Sequence, residues 1–527
     1  MPDSEAKREL ASWLESVHRL NPIDELGGPI EIRQTHISVV LLGRQRVLKL
    51  KKPVDFGFLD YTTLEKRRAA CEAEVRLNSR ISPEVYLGIQ PIREDAGVLR
   101  LAGPGPVVDY GVLMQRLPAD RMLDEMIRRD AATEAIVDRV AARLAGFHRI
   151  TRRGLDVEVY GGLPAIEGNW KENFQQTETF VGRTLSRESF DQIRDWVRTS
   201  LRRDREAFES RVRENRIVDG HGDVRCESVC IVDGITILDC IEFNERFRCG
   251  DVASEIAFLA MDLDALGRPD LGYFASERYQ VASGDRGLWQ MLPFYRCYRA
   301  YVRGKVLSLR LDQPDNTKVD RDRSATRASA FFDLARRYAS RLQQPSVILV
   351  SGRSGTGKTA LARAVAGELG LRVVSTDAVR AELFGDLKAP AEFGQGVYRE
   401  DSTIRTYEAL VAKGCGILGE DHSVVLDGTF LKERYRALAG EMAHRAGAHL
   451  RVIGCTLAPE ETRQRIEKRA LRQEGLSDAT WKTYLRQREE PAPREARHSW
   501  LSLDTAPALT ECSRQASDWL REHDEEG

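Results

Sequence analysis

The sequence lacks any apolar run approaching the ~18–20 residues needed to cross a bilayer, so no membrane role is expected. Its start, "MPDSEAKRELASWLESVHRL", is charged and amphipathic. It has neither the apolar centre nor the small-residue cleavage site of a secretory leader. An excess of charge is also missing: 80 Lys+Arg stand against 81 Asp+Glu, a formal net charge of -1. That balance gives no support to a dedicated binder of nucleic acid or of anionic lipid. Nine cysteines form no C-x-x-C pair, and Cys226 and Cys230 beside His221 fit no common zinc frame. They read as reduced thiols, several of them buried, in a cytoplasmic protein. Internal repeats and low-complexity tracts are absent as well.

What is present is an ordinary globular composition, 42% hydrophobic and 31% charged, in 527 residues. That length predicts two or three domains. Short alternating runs in "PIEIRQTHISVVLLGRQRVLKLKKP" predict two or three antiparallel strands. "TTLEKRRAACEAEVRLNSRI" has helical period, and strands return at "SPEVYLGIQPI", "GVLRLAG" and "DYGVLMQRLP". Residues 131–214 are mainly helical in pattern; "SVCIV" and "ITILDC" then form two short strands about Asp233-Gly234. More helices run to Leu311. The polar stretch "LDQPDNTKVDRD" marks a boundary, and "RSATRASAFFDLARRYASRLQQ" reads as a connecting helix. From Pro345 onward, "SVILVSG", "LRVVST", "HSVVLDG" and "HLRVIGCTL" alternate with helices, the pattern of a parallel sheet. The expected layout is 1–313, a connection over 314–344, and 345–527.

The second part carries "GRSGTGKT", Gly352 to Thr359, a Walker A pattern entered by a strand and left by a helix. Backbone N–H groups of Gly352, Arg353, Ser354, Gly355, Thr356 and Gly357 would surround phosphate oxygens. Lys358 would neutralise the β/γ charge and Thr359 would ligate Mg²⁺. Asp377 ends the second strand of this part, with Arg380 one turn on. In a parallel sheet, strand ends face the ligand crevice. An acid there suits proton removal from an acceptor hydroxyl, and the arginine suits holding the acceptor or the moving phosphoryl group. Asp427, ending "VVLD", is placed to organise magnesium. Arg465 and Arg469 lie one turn apart, followed by Arg472, Arg486 and Arg488, the kind of series that closes over phosphates.

These motifs, in order, resemble the P-loop kinase group containing gluconate kinases, polynucleotide kinases and zeta toxins. The resemblance covers roughly residues 345 to 515. It implies ATP-dependent phosphorylation of a hydroxyl, with the aspartate of D-x-x-R, Asp377, as base.

In the first part, "VDGHGDVRCESVCIVDGITILDCIEFN" holds Asp223 and, sixteen residues later, Asp239. Upstream, "RVLKLKK" offers Lys49 or Lys51 on one strand face, and the next helix offers Glu72 and Glu74. A lysine for phosphates, an aspartate for metal and an aspartate for the acceptor are the minimal apparatus of kinase-like transfer. The arrangement is similar to the aminoglycoside phosphotransferase and choline kinase superfamily. The stretches "KKPVDFGFLDYTTLEKRR", "LDCIEFNERFRCGDVASEIAFLAMDL" and "FYRCYRAYVRGKV" resemble, more closely, a bacterial family in which such a domain precedes a P-loop kinase. The resemblance implies Asp223 as base, Asp239 as magnesium ligand, and Lys49, paired with Glu74, on the nucleotide phosphates. It implies a hinge whose backbone faces adenine near Gln115, His36 and Ser38 in the turn over the phosphates, and Asp251 and His221 steadying the loop. Ser228 replaces the superfamily's asparagine and would offer magnesium one neutral oxygen.

The fold class is thus α/β and α+β: a protein-kinase-like (aminoglycoside phosphotransferase) fold followed by a P-loop parallel-sheet domain. The expected function is an ATP- and Mg²⁺-dependent phosphotransferase acting on a small-molecule hydroxyl, with two potential nucleotide sites. A non-catalytic, ligand-sensing first part and a nucleic-acid 5′-hydroxyl kinase are the alternatives; the charge balance disfavours the latter.

Overall fold

The computed structural model describes residues 4–20, 23–57, 59–95, 98–312, 317–385, 399–419, 423–472, 480–490 and 500–524. Internal packing divides the chain into two compact units. One comprises residues 1–130, 146–162 and 212–255; the other comprises 131–145, 163–211 and 256–527. The helices between residues 256 and 311 therefore share a unit with the phosphate-loop sheet, although they precede the polar stretch in the sequence.

The first unit is built on an antiparallel sheet. Its strands are β1 (Glu31–Gln34), β2 (Ser38–Leu42), β3 (Arg46–Lys51), β4 (Tyr86–Asp95), β5 (Val98–Arg100) and β6 (Val107–Gln115), ordered β1-β2-β3-β6-β4-β5. Alternation along β3 sends Leu48 and Leu50 into one apolar cluster and Val47 into another, shared with Cys71 of the helix Leu64–Asn78. Lys49 and Lys51 have the parity of Val47, so both point to that helix. The helix starts where the Thr63 side chain accepts the Lys66 N–H, an N-cap that satisfies an otherwise orphaned donor. Two small ribbons follow: β7 (Ile217–Asp219) pairs with the later β10 (Cys249–Asp251), and β8 (Val229–Cys230) pairs with β9 (Thr236–Ile237). Asp233, at φ 33°, makes the turn of the second ribbon.

The second unit contains the parallel sheet β12-β13-β11-β14-β15, formed by β11 (Ser346–Gly352), β12 (Arg372–Ser375), β13 (Val424–Asp427), β14 (His449–Thr456) and β15 (Trp500–Asp504). Both faces are covered. Ile348, Val350, Val425 and Ile453 enter one core, while Val347, Leu349, Val424, Leu426 and Val452 enter the other. That is why these strands read as continuous apolar runs. The first core also takes in Tyr273, from the helix Pro269–Ser283. The helix Leu288–Arg310 inserts Arg296, which is 1% exposed. Its guanidinium donates to Gly367 O at 3.0 Å and to Gly272 O at 3.1 Å. The connecting helix begins inside the polar stretch, at Lys318, because Thr317 caps it through the Asp320 N–H; it ends at Tyr338. The expected mixture of a kinase-like antiparallel sheet and a parallel P-loop sheet is present.

Candidate functional site

In the second unit, β11 runs into the phosphate loop and out into the helix Lys358–Leu369. The loop's shape requires glycine at two points. Gly352 has φ 147°, and a Cβ there would lie 2.6 Å from Cys455 O; Gly355 has φ 82°, and a Cβ would lie 2.7 Å from the Ile466 side chain. Lys358 Nζ donates to Arg353 O at 2.8 Å, so the ammonium arches back over the loop. Thr359 Oγ1 donates to Asp427 Oδ2 at 2.8 Å. Asp377, in the first turn of the helix Thr376–Phe384, accepts Arg380 Nη1 at 2.8 Å.

Electrostatics tie these groups together. Burial lowers the Lys358 pKa; Asp427 and Asp377 pull it up and Arg469 pushes it down. Burial likewise raises Asp427, against the Lys358 charge and the Thr359 hydroxyl. One cluster therefore joins Lys358, Thr359, Asp427, Asp377 and Arg469. Arg465 donates through Nη2 to Thr505 O at 2.6 Å, and Thr505 Oγ1 in turn donates to Thr356 O at 2.7 Å. Arg465 is thus anchored beside the loop. The side chain of Arg472 lies outside the described residues. Arg486 lies on the short helix Trp481–Gln487 and Arg488 just beyond it.

In the first unit, Lys49 Nζ lies 2.9 Å from Glu74 Oε1 and 2.9 Å from Asp239 Oδ1. Lys51 also reaches Glu74 and continues to Glu242, which accepts the Tyr61 hydroxyl at 2.9 Å. Both strand lysines thus engage the helix glutamate, but Lys49 is the one that meets Asp239. Burial opposes the Lys49 charge, yet Asp239 and Glu74 hold its pKa well above the ordinary value. Lys49 in turn lowers that of Asp239. Asp239 sits at φ 61°, a left-handed conformation that a non-glycine residue rarely adopts.

Arg225 grips the Asp223 carboxylate with both arms, Nε to Oδ1 and Nη2 to Oδ2, each at 2.8 Å. The metal role expected of Ser228 does not fit its surroundings. The side chain is buried, accepts the Arg225 N–H at 3.0 Å and donates to Arg225 O at 2.8 Å, so its oxygen is committed to the loop backbone. His221 is fully buried, and burial lowers its pKa; its Nδ1 accepts the Asp223 N–H at 3.3 Å. Asp251 Oδ1 accepts the Ala253 N–H at 2.8 Å. Gln115 is exposed at the end of β6, and its N–H donates to Val85 O at 2.8 Å. The His36 ring stacks on Phe56 with centroids 5.3 Å apart, and the Ser38 N–H donates to Thr35 Oγ1 at 3.0 Å.

Residues 347–491 match the family described as "AAA domain". Over 457 residues the chain is 34% identical to protein Rv2004c of Mycobacterium tuberculosis, a match covering 86% of this chain and 88% of that protein. Protein Mb2027c of Mycobacterium bovis matches to the same extent. The chain belongs to the family of these mycobacterial proteins. An alignment of this length spans both the Asp223–Asp239 region and the phosphate loop of this chain. Among solved structures, a gluconokinase from Sinorhizobium meliloti is 20% identical, covering 36% of this chain and 97% of that one, with a TM-score of 0.28. A choline/ethanolamine kinase family protein from Mesorhizobium loti is 13% identical, covering 63% and 99%, with a TM-score of 0.38.

The Thr359 hydroxyl and Asp427 carboxylate suit Mg²⁺, a hard ion that takes few protein oxygens and completes its shell with water and phosphate. Among the described residues no cluster of three or more His, Cys, Asp or Glu side chains is arranged for a metal. No described helix is long and apolar enough to cross a membrane. Three contributors escaped the sequence reading. Glu255 accepts the His221 and Gly222 N–H groups at 2.5 and 2.8 Å, Arg225 forks Asp223, and Gln487 meets the phosphate loop. Only Arg225 had a local signal, a guanidinium two residues from the aspartate.

Proposed function

We propose that this chain is an ATP-dependent phosphotransferase whose working centre is the phosphate loop, with a hydroxyl of a small molecule as acceptor. The observation carrying this reading is the convergence of Lys358, Thr359 and Asp427 with the Asp377–Arg380 pair at the ends of β11, β12 and β13. In this reading Lys358 and the loop amides other than those of Gly352, Ser354 and Thr356, which donate to Thr429 O, Gln487 Oε1 and Arg353 O, bind the phosphates, and Arg465 and Arg469 add positive charge where it spreads during transfer. Arg380 orients Asp377, which removes the acceptor proton. Bound Mg²⁺, held by Thr359 and Asp427, would neutralise phosphate charge. The protein is proposed to act in the cytoplasm.

The test is ATP consumption by the full chain against sugars, nucleosides, aminoglycosides and 5′-hydroxyl oligonucleotides. Turnover with one of the small-molecule classes, lost in Lys358→Ala, supports the reading. Turnover with oligonucleotides alone would favour a nucleic-acid kinase, and turnover that survives Lys358→Ala would move the chemistry to the other site.

For the first unit we propose nucleotide binding without efficient transfer. The two-armed Arg225 fork on Asp223 favours this reading, because both carboxylate oxygens accept from one guanidinium instead of being offered to an acceptor hydroxyl. In this role it would be a ligand-sensing site that regulates the phosphate-loop kinase.

A further inference from the structure

The helix Trp481–Gln487 begins at Thr480, whose side chain accepts the Thr483 N–H. It ends in a glutamine that is 4% exposed, a poor place for a carboxamide unless every polar atom is used. The structure shows what uses them. Gln487 Oε1 accepts the Ser354 N–H at 2.7 Å, and Gln487 Nε2 donates to Ser354 Oγ at 3.1 Å. The Gln487 carbonyl accepts Arg353 Nε at 3.2 Å. One residue thus binds two consecutive residues of the phosphate loop, through backbone and side chain alike, from 133 positions away in sequence.

The site of this grip matters. Arg353 O is the acceptor for Lys358 Nζ and also for Thr356 Oγ1 at 2.8 Å. The Arg353–Ser354 segment therefore holds the resting position of the lysine and one side of the loop. A separate contact, from Thr505 Oγ1, fixes Thr356 O. A phosphate cradle works by holding N–H donors in place before the ligand arrives, so that binding costs little reorganisation.

We propose that Gln487 is a positioning residue of the phosphate loop, holding Arg353 and Ser354 in the shape that accepts a nucleotide's phosphates. The inference rests on the loop being a nucleotide site. It assigns to the short helix Trp481–Gln487 a role in nucleotide affinity rather than in packing alone.

The experiment measures binding of Mg-AMPPNP to the full chain by calorimetry, in an Asp239→Ala background so that the phosphate loop is the site that titrates. Gln487→Met keeps the side chain's length and loses both carboxamide bonds. It should weaken binding about tenfold, the factor expected from two neutral hydrogen bonds. Ser354→Ala, which loses only the Oγ contact, should weaken binding about two- to threefold and add nothing further in the Gln487→Met background. A residue that merely packs would give wild-type affinity in Gln487→Met, and that result overturns the proposal. Should Gln487→Met fail to fold, unchanged affinity in Ser354→Ala overturns it instead. Lys358→Ala separates the two levels. Lost binding in that variant with normal binding in Gln487→Met removes only the role of Gln487. Undiminished binding in Lys358→Ala removes the nucleotide site itself, and the proposal with it.

Discussion

Thr359 Oγ1 donates to Asp427 Oδ2 across 2.8 Å, joining the first turn after the phosphate loop to the end of the neighbouring strand. The pair sets two oxygens side by side next to the loop, where burial raises the Asp427 pKa and the nearby Lys358 charge opposes that rise. Removing the lysine's charge should cut ATP turnover at least about a hundredfold, comparable to losing one strong electrostatic stabiliser. Steady-state turnover of Lys358→Ala checks this, and near wild-type rates would exclude the loop as the centre of chemistry.

Asp377 and Asp427 lie in one electrostatic cluster but have different partners, Arg380 and Thr359. Asp377→Asn should keep Mg-nucleotide affinity and lose transfer, since only the acceptor's proton is affected. Asp427→Asn should instead shift the magnesium concentration needed for half-maximal activity upward. Magnesium titrations of both variants give the comparison; identical shifts would mean that the two carboxylates share one role.

The phosphate loop was legible because its parts are contiguous, Gly352 to Thr359, and its flanking strand and helix declare themselves by pattern. Asp427 ends β13 as the strand pattern has it, because strand ends in a parallel sheet share one edge, whereas Asp377 lies two residues past β12, in the first turn of the next helix. Lys49 and Lys51 could not be separated by pattern, since both have the same parity on β3; only the Asp239 contact divides them. Ser228 differs from the expectation because its residue type suggests a ligand, whereas its burial turns the hydroxyl onto the Arg225 backbone. Gln487 and Glu255 were out of reach, because their partners are 133 and 34 residues away and no periodicity links them. The strand β15 was overlooked, although "WLSLD" does alternate.

Glu255 gives the loop around His221 and Gly222 a pH dependence. Burial would raise its carboxyl pKa, but the His148 hydrogen bond, the nearby His221 and the Gly222 N–H hold it down at about 2, against an ordinary 4.5. A depressed carboxylate stabilises the fold fully above its unfolded pKa, and the contribution fades as pH falls through the folded value. The shift corresponds to at most about 3 kcal/mol. Glu255→Gln should therefore be less stable than wild type at pH 7, with the gap narrowing as pH drops from about 4.5 toward 2. Urea unfolding at stepped pH measures it; a gap independent of pH would place the residue's contribution in packing.

Arg296 is the converse case, a buried cation in the second unit. Besides Gly367 O and Gly272 O, it faces Asp264 at 3.3 Å. Burial raises the Asp264 pKa to about 6, even though Arg296 and the Tyr338 hydroxyl pull it down. A raised carboxyl favours the fold below its unfolded pKa and loses that contribution as pH rises through about 6. Taking Arg296 away leaves the Asp264 carboxylate without its cationic partner, with only the Tyr338 hydroxyl still donating to it, and breaking a buried pair in this way typically costs about 3–5 kcal/mol. It also pushes Asp264 further up, so Arg296→Met should be more damaging at pH 8 than at pH 5. Because the charge left behind is the larger part of that cost, Arg296→Met combined with Asp264→Asn should be more stable at pH 8 than Arg296→Met alone. Urea midpoints of the three variants and wild type at both pH values decide it. Strict additivity with no pH dependence would show that Arg296 acts through its carbonyl contacts and not through Asp264.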